Sequence, residues 1–161
     1  MKELNEAKLD RSLTPPRAID NPILCVFSNA SEAAFGCCAY LRWQIADVSF
    51  ATRFVAARSR VAPLKKLTIP RLELQAALMA ERLFTAIKEE TTLKLLETIF
   101  MTDSLITLAW IHSQSRMYKS FVSSRVGEIQ SASKPENWRY VPGNMNPADK
   151  ISRGFSSQRS E

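Results

Sequence analysis

Short apolar runs in the first half of the chain predict three consecutive β-strands. They lie at Ile23 to Ser28, Gly36 to Trp43 and Ser49 to Val61, and arginines interrupt the apolar residues of the third. Short polar links between such runs are typical of an antiparallel meander. We therefore expect the chain to fold first into three antiparallel strands.

The spacing becomes helical after a connector between Pro63 and Pro70. Pro70 fits the first turn of a helix, where its missing N–H loses no hydrogen bond. Apolar residues then recur every three or four positions as far as about Glu89, which predicts one long and largely buried helix. These residues are Leu72, Ala76, Met79, Leu83 and Ile87, with Leu74 and Leu78 in a second row.

The second half of the chain predicts two more strands and three short helices. Asn146 and Pro147 have the residue types of a helix N-cap and first helical position. The predicted fold class is α/β, a five-stranded mixed sheet with helices on both faces. The predicted elements are strands at Thr98 to Thr102 and Trp138 to Val141, and helices at Leu105 to His112, at Tyr118 to Ser131 and from Asn146.

Length and composition favour one compact domain. The chain has 161 residues, 45% of them hydrophobic, and no apolar run long enough to span a membrane. We expect a linker at residues 1–20, a domain at 21–154 and a tail at 155–161. The first twenty residues lack a signal core, so we expect an intracellular protein that is not secreted. The three cysteines, Cys25, Cys37 and Cys38, indicate buried thiols in a reducing compartment.

Positive charge is concentrated in one segment. The net charge is +6, and the stretch from Ala51 to Leu72 contains basic residues and no acid. Such a segment is the electrostatic footprint of a surface that meets phosphates, although a solvated basic face would look the same. The candidate nucleic-acid-binding residues are Arg53, Arg58, Arg60, Lys65, Lys66 and Arg71.

Four polar residues stand where a metal site could form. Asn29 and Asp103 follow apolar strands, whereas Glu73 and Asp149 lie near predicted helix starts. If the two strands are parallel neighbours, their carboxyl ends bring both residues to one edge of the sheet. Clustered acids repel each other unless cations neutralise them, and hard oxygen ligands select Mg²⁺ or Mn²⁺. Two such ions can activate water and stabilise the leaving oxygen of a phosphodiester.

Each acid also has an ordinary structural explanation. Glu73 and Asp149 suit the first turn of a helix, where the helix dipole favours negative charge. Asp103 could cap the helix that follows it. Only the combination of spacing and flanking residues favours a site.

Several motifs together resemble the Pao-type (BEL) retrotransposon Pol polyprotein. The most specific is the long signature from Arg58 to Glu73, and the resemblance covers residues 23 to 154. The other motifs occur in the family's order: Thr102-Asp103-Ser104, Trp110-Ile111, Phe121-Val122, Arg125-Val126, Trp138 to Gly143, Asn146 to Asp149 and Ser152-Arg153-Gly154.

This resemblance implies a ribonuclease H-like domain that follows a reverse transcriptase. It implies hydrolysis of the RNA strand of an RNA–DNA hybrid by two divalent metals, Mg²⁺ or Mn²⁺. Glu73, Asp103 and Asp149 match the second, third and fourth acids of the family, and so are the expected metal ligands and catalytic residues. Asn29 stands where the family has its first aspartate.

The substitution at Asn29 matters because the first acid of this fold contacts both metals. An asparagine offers one neutral carbonyl oxygen, so the site loses a negative charge and its bridging ligand. We expect a loss on the order of a thousandfold in rate. Glu32 is a possible substitute, but it lies three residues further on, beyond the predicted strand end.

Three functions are therefore candidates. The first is a hybrid-specific ribonuclease weakened by Asn29, and the second is a non-catalytic domain that binds nucleic acid or supports a polymerase. An aspartic peptidase, a label also attached to this family, needs an Asp-Thr/Ser-Gly turn, and Asp103-Ser104-Leu105 lacks the glycine. Nucleophilic catalysis is not favoured either, because His112, the one histidine, is predicted to be a surface or partly packed residue.

Overall fold

The computed structural model describes residues 13–153. The predicted lead-in before residue 13 and the predicted tail at 155–161 lie outside the described residues. Leu13 is buried with the core. The backbone N–H of Ile19 donates to the Gln44 carbonyl at 2.9 Å. The end of the predicted lead-in thus packs against the sheet.

The sheet has five strands in the order β3-β2-β1-β4-β5. The predicted antiparallel meander is confirmed, and β4 and β5 extend it by parallel pairing on the β1 side. This mixed sheet confirms the predicted fold class. The strands are β1 (Ile23–Ala30), β2 (Ala34–Ala46), β3 (Ser49–Val61), β4 (Glu97–Thr102) and β5 (Trp138–Tyr140).

The register of β1 and β4 fixes where the candidate residues lie. The two strands are parallel, and Ser28 lies opposite Thr102. The next residues, Asn29 and Asp103, therefore emerge at the same edge of the sheet. The expectation that these two strands are parallel neighbours is confirmed.

Four α-helices accompany the sheet in the part of the chain that the structure describes, in the predicted order. None of those within residues 13–153 is long and apolar enough to cross a membrane. The long helix packs against β1 and β2, and the third helix packs against it. The helices are α1 (Ile69–Glu90), α2 (Leu105–Ile111), α3 (Ser120–Ala132) and α4 (Asp149–Ser152).

The core lies between the sheet and α1. Alternate residues of β1, Leu24 and Val26, are fully buried on this side, as period-two strand patterning requires. Phe100 of β4 stacks on Trp138 of β5, with ring centroids 4.5 Å apart. Small alanines at Ala77 and Ala80 are buried against the sheet, and their size lets the helix backbone approach it closely.

The last helix packs at the other face of the sheet, over Gly36. A Cβ atom at Gly36 would lie 2.5 Å from Ile151 Cγ2 and 2.7 Å from the Arg58 carbonyl oxygen. Gly36 pairs with Asn29 across the β1–β2 ladder. The missing side chain therefore allows α4 to reach the strand end that carries Asn29.

The predicted start of this last helix was wrong. The helix begins at Asp149 with Ala148 as N-cap, not with Asn146 as N-cap and Pro147 as first residue. The Asn146 carboxamide instead builds a turn, accepting from the Ala148 N–H at 3.0 Å and donating to the Ser28 carbonyl at 2.9 Å. Asn146 thus ties the approach to α4 to the end of β1.

Candidate active site

Glu73 is a buried acid with an unsatisfied oxygen. It is 6% exposed, and its Oε2 is buried without a hydrogen-bond partner. Burial, followed by the negative charge of Asp103, raises the pKa of Glu73 to about 8, while the Ala30 backbone N–H opposes both. Most Glu73 side chains would therefore be protonated at neutral pH in the absence of a cation.

The placement of Glu73 in the first helical turn was wrong. Helix α1 begins at Ile69, one residue before the predicted start, and no acid lies in its first turn. The first turn contains the backbone N–H groups that give a helix its positive end. Stabilisation by the helix terminus therefore does not explain why Glu73 is buried.

Asp103 does not cap the helix that follows it. Ser104 takes that position, and its Oγ accepts a hydrogen bond from the Thr107 N–H at 3.2 Å. Gly143 lies so close that a Cβ there would be 3.1 Å from Asp103 Oδ2. Burial raises the pKa of Asp103, and the charge of Asp149 adds to this. Capping of the following helix therefore does not explain the position of Asp103.

Asn29 turns its amide N–H towards an acid. It is 4% exposed, and its Nδ2 donates to Asp149 Oδ1 at 3.2 Å and to Ser152 Oγ at 3.1 Å. The Ser152 hydroxyl donates its own proton to the Asp149 carbonyl at 3.0 Å. Its oxygen must therefore accept from Asn29, which fixes the orientation of the amide.

Asp149 also pairs with an arginine at the end of its own helix. Arg153 Nε lies 3.1 Å from Asp149 Oδ2, but the arginine side chain is 74% exposed, so the pair is solvated and weak. The sequence interpretation assigned no role to Ser152 or Arg153. Both belong to the Ser152-Arg153-Gly154 motif, which was the available signal.

The candidate residues are neighbours in pairs. Asp103 interacts electrostatically with Glu73 on one side and with Asp149 on the other, and Asn29 is hydrogen-bonded to Asp149. Across residues 13–153, no group of three or more His, Cys, Asp or Glu side chains is arranged to hold a metal ion. Glu32, the possible substitute, is exposed in the turn that follows β1.

The predicted basic residues divide between three places. Arg53, Arg58 and Arg60 lie on β3, and Lys65 and Lys66 are exposed on the connector before α1. The sixth, Arg71, lies in the first turn of α1 and stacks over the Phe121 ring at 4.9 Å. Positive charge thus extends from the outer strand to the helix that carries Glu73.

The remaining reactive side chains are structural. Burial raises the pKa of both Cys37 and Cys38 to about 12, so these thiols stay protonated at neutral pH and are poor nucleophiles. The expected burial of all three free cysteines is confirmed. His112 Nε2 lies 3.1 Å from the Trp138 carbonyl; since a carbonyl can only accept, this nitrogen donates.

A known protein family matches much of this chain. The profile of the Pao retrotransposon-like RNaseH-like domain matches residues 1–104. The chain belongs to this family. The matched segment includes Asn29, Glu73 and Asp103, and Asp149 lies beyond it. A comparison with curated proteins finds no match.

Two solved ribonuclease H domains are similar to this chain, and the first of them shares its fold. One is the N-terminal RNase H domain of a Mycobacterium tuberculosis protein, solved as a fusion with maltose binding protein. It is 16% identical with a TM-score of 0.51, and the match covers 82% of this chain and 90% of that one. Another is RNase H1 of Halobacterium salinarum NRC-1, 12% identical with a TM-score of 0.46, covering 82% and 94% of the two chains.

Proposed function

We propose that this domain binds RNA–DNA hybrid and that Asn29 disables most of its ability to hydrolyse the RNA strand. One observation carries the proposal: the Asn29 amide donates its N–H to Asp149 Oδ1 at 3.2 Å. A hydrogen-bond donor thus faces the fourth acid from the position where the family resemblance expects a negatively charged ligand. The retrotransposon family also supports a role beside a reverse transcriptase domain.

The half of the candidate centre formed by Glu73 and Asp103 suits a divalent cation. Glu73 Oε2 is buried without a partner, and both Glu73 and Asp103 have raised pKa values because burial and neighbouring acids disfavour their charged forms. A cation would relieve both penalties, and carboxylate oxygens are the ligands that Mg²⁺ and Mn²⁺ prefer. Glu73 and Asp103 would hold such an ion, which when bound polarises phosphate oxygens and acidifies water.

The half formed by Asn29 and Asp149 does not suit a cation. Asn29 presents N–H groups to Asp149 and to Ser152 Oγ, and an N–H group cannot be a metal ligand. The contact already satisfies the Asp149 carboxylate, which Arg153 also pairs. The contact between Asn29 and Asp149 supports the loss in rate, on the order of a thousandfold, that is expected from the sequence.

Hybrid binding is supported by the charge distribution. Lys65 and Lys66 are exposed on the connector, and Arg71 lies in the first turn of α1, close in sequence to Glu73. Phosphate contacts from such residues position a duplex without reading its sequence. A duplex bound by them would lie along the connector and the start of the helix that carries Glu73.

Fluorescence anisotropy with a labelled RNA–DNA hybrid in EDTA tests the binding claim. The affinity should fall with salt, and the Lys65→Glu/Lys66→Glu variant should bind more weakly with a shallower salt dependence, by about 0.9 in log–log slope per lost phosphate contact. Lys94→Glu/Lys134→Glu is the matched control, since both lysines are exposed elsewhere. Salt-independent binding, or equal losses in the two variants, would refute the claim.

A further inference from the structure

Helices α1 and α3 are joined by three side-chain contacts that follow one another in parallel order. The Arg71 guanidinium stacks over Phe121 at 4.9 Å. Gln75 Oε1 accepts from Arg125 Nε at 2.9 Å. Arg82 donates to both carboxylate oxygens of Glu128, at 2.8 and 2.9 Å. The contacts place a row of guanidinium groups along the line where the two helices meet.

A groove of about 540 Å³ opens beside this row. Its other wall is β3, where Arg58 and Arg60 pair with Cys37 and Phe35 of β2. Of the described residues that line it, four are arginines and one is an acid. We call this the arginine groove, defined by Arg58, Arg60, Arg82, Arg125 and Glu128.

Most of these arginines have no acidic partner among residues 13–153. The ion pairs within residues 13–153 involve Arg82, Arg139 and Arg153. Arg125 is also held in place, because its guanidinium stacks on Phe121 at 3.6 Å and its Nη1 donates to the Phe121 carbonyl at 3.0 Å. A fixed guanidinium loses little entropy when it binds a phosphate.

Positive charge is crowded around Arg125. Burial lowers the pKa of Arg125, and the charges of Arg82 and Arg71 lower it further. A bound anion would offset this repulsion. The geometry of the groove and the crowding of its charges therefore both favour an anionic ligand.

We propose that the arginine groove binds the phosphodiester backbone of one strand of a nucleic-acid duplex. This inference rests on the proposed function and adds residues from α1 and α3 that the basic segment before Glu73 does not contain. From Arg71 to Arg82 the helix rises about 16 Å, the axial length of about five phosphates along one strand of B-form DNA. A backbone in the groove would thus run along α1, away from Glu73.

The Glu128→Gln variant tests the groove proposal by an expected gain in affinity. Its carboxylate opposes phosphate in the groove and occupies Arg82, so Glu128→Gln should tighten hybrid binding and steepen the log–log salt slope by about 0.9. Glu136→Gln removes one negative charge from an exposed position outside the groove and should leave the slope unchanged. The Arg82–Glu128 pair is about half exposed, so the variant should fold, which its melting curve will verify.

The Arg60→Gln variant tests the groove proposal by an expected loss of affinity. Arg60 is exposed, as is Arg17, which lies outside the groove. Arg60→Gln should weaken binding to RNA–DNA hybrid and to DNA duplex alike and reduce the slope by about 0.9, whereas Arg17→Gln should change neither. If Glu128→Gln has the same effect as Glu136→Gln, and Arg60→Gln the same effect as Arg17→Gln, the groove proposal is overturned. Binding by the wild type would still uphold the proposed function. Absence of wild-type binding to either duplex would overturn both.

Discussion

Asn29 donates its side-chain amide to Asp149 across 120 positions of sequence, with Nδ2 3.2 Å from Oδ1. The contact joins the end of β1 to the first residue of α4. It is an attraction at a position where two carboxylates would repel each other. The same contact removes a charge that the family resemblance expects at this position.

Asn29→Asp should make the stability of the domain depend on divalent cations. In EDTA the new carboxylate faces Asp149 without a donor between them, and stability should fall on the order of 1–3 kcal/mol. Mg²⁺ or Mn²⁺ should restore it, because an ion that binds only the folded state stabilises that state. Thermal melts with and without the ion check this, with Asn21→Asp at an exposed site as control. The same response to Mg²⁺ in wild type and Asn29→Asp would contradict it.

Glu73 should make the domain less stable as pH rises. Its folded-state pKa of about 8 lies above the ordinary value of 4.5, so between these values the folded state binds more protons than the unfolded state. Stability attributable to Glu73 therefore falls through this window, and its full penalty, on the order of a few kcal/mol, is present above pH 8.

Urea denaturation in EDTA at pH 5 and pH 8.5 measures this effect. The Glu73→Gln variant should lose less stability between the two values than the wild type does. Glu89→Gln, an exposed substitution on the same helix, should behave like the wild type. A wild-type and a Glu73→Gln protein with the same pH dependence would show that Glu73 is ionised in the folded state.

The same substitution at two glycines should have opposite effects. Alanine at Gly36 would put its Cβ 2.5 Å from Ile151 Cγ2 and 2.7 Å from a backbone carbonyl, whereas at Gly127 the nearest atom is 3.8 Å away. Gly36→Ala should destabilise the domain by about 1–3 kcal/mol and displace α4. Gly127→Ala, within α3, should stabilise it by about 0.5–1 kcal/mol. Chemical denaturation of both variants checks this; a stabilising Gly36→Ala would contradict the close packing of α4.

Local patterns in the sequence were enough to predict the sheet and its main helices. Short apolar runs located the strands. The parallel pairing of β1 with β4, which places Ser28 opposite Thr102, followed from the expected fold. The start of α4 was missed because a distant contact decides it. Asn146 donates to the Ser28 carbonyl, 118 positions away. Local sequence propensities cannot predict such a bond.

The arginine groove could not be found from charge along the sequence. Arg82 meets Glu128 and Arg125 meets Gln75 across 46 and 50 positions respectively. On their own helices these arginines look like ordinary exposed residues. Only the parallel packing of α1 beside α3 brings them to one groove with the arginines of β3.

Cleavage of a labelled RNA–DNA hybrid by the wild type and by the Asn29→Asp variant, in Mg²⁺ and in Mn²⁺, decides whether Asn29 is what disables the site. The wild type should bind the hybrid and leave its RNA strand nearly intact, whereas Asn29→Asp should cleave it faster, by a factor on the order of a thousand. The double variant Asn29→Asp/Asp103→Ala should lose that gain. Equal cleavage rates for the wild type and the Asn29→Asp variant, whether high or undetectable, would contradict the proposed function.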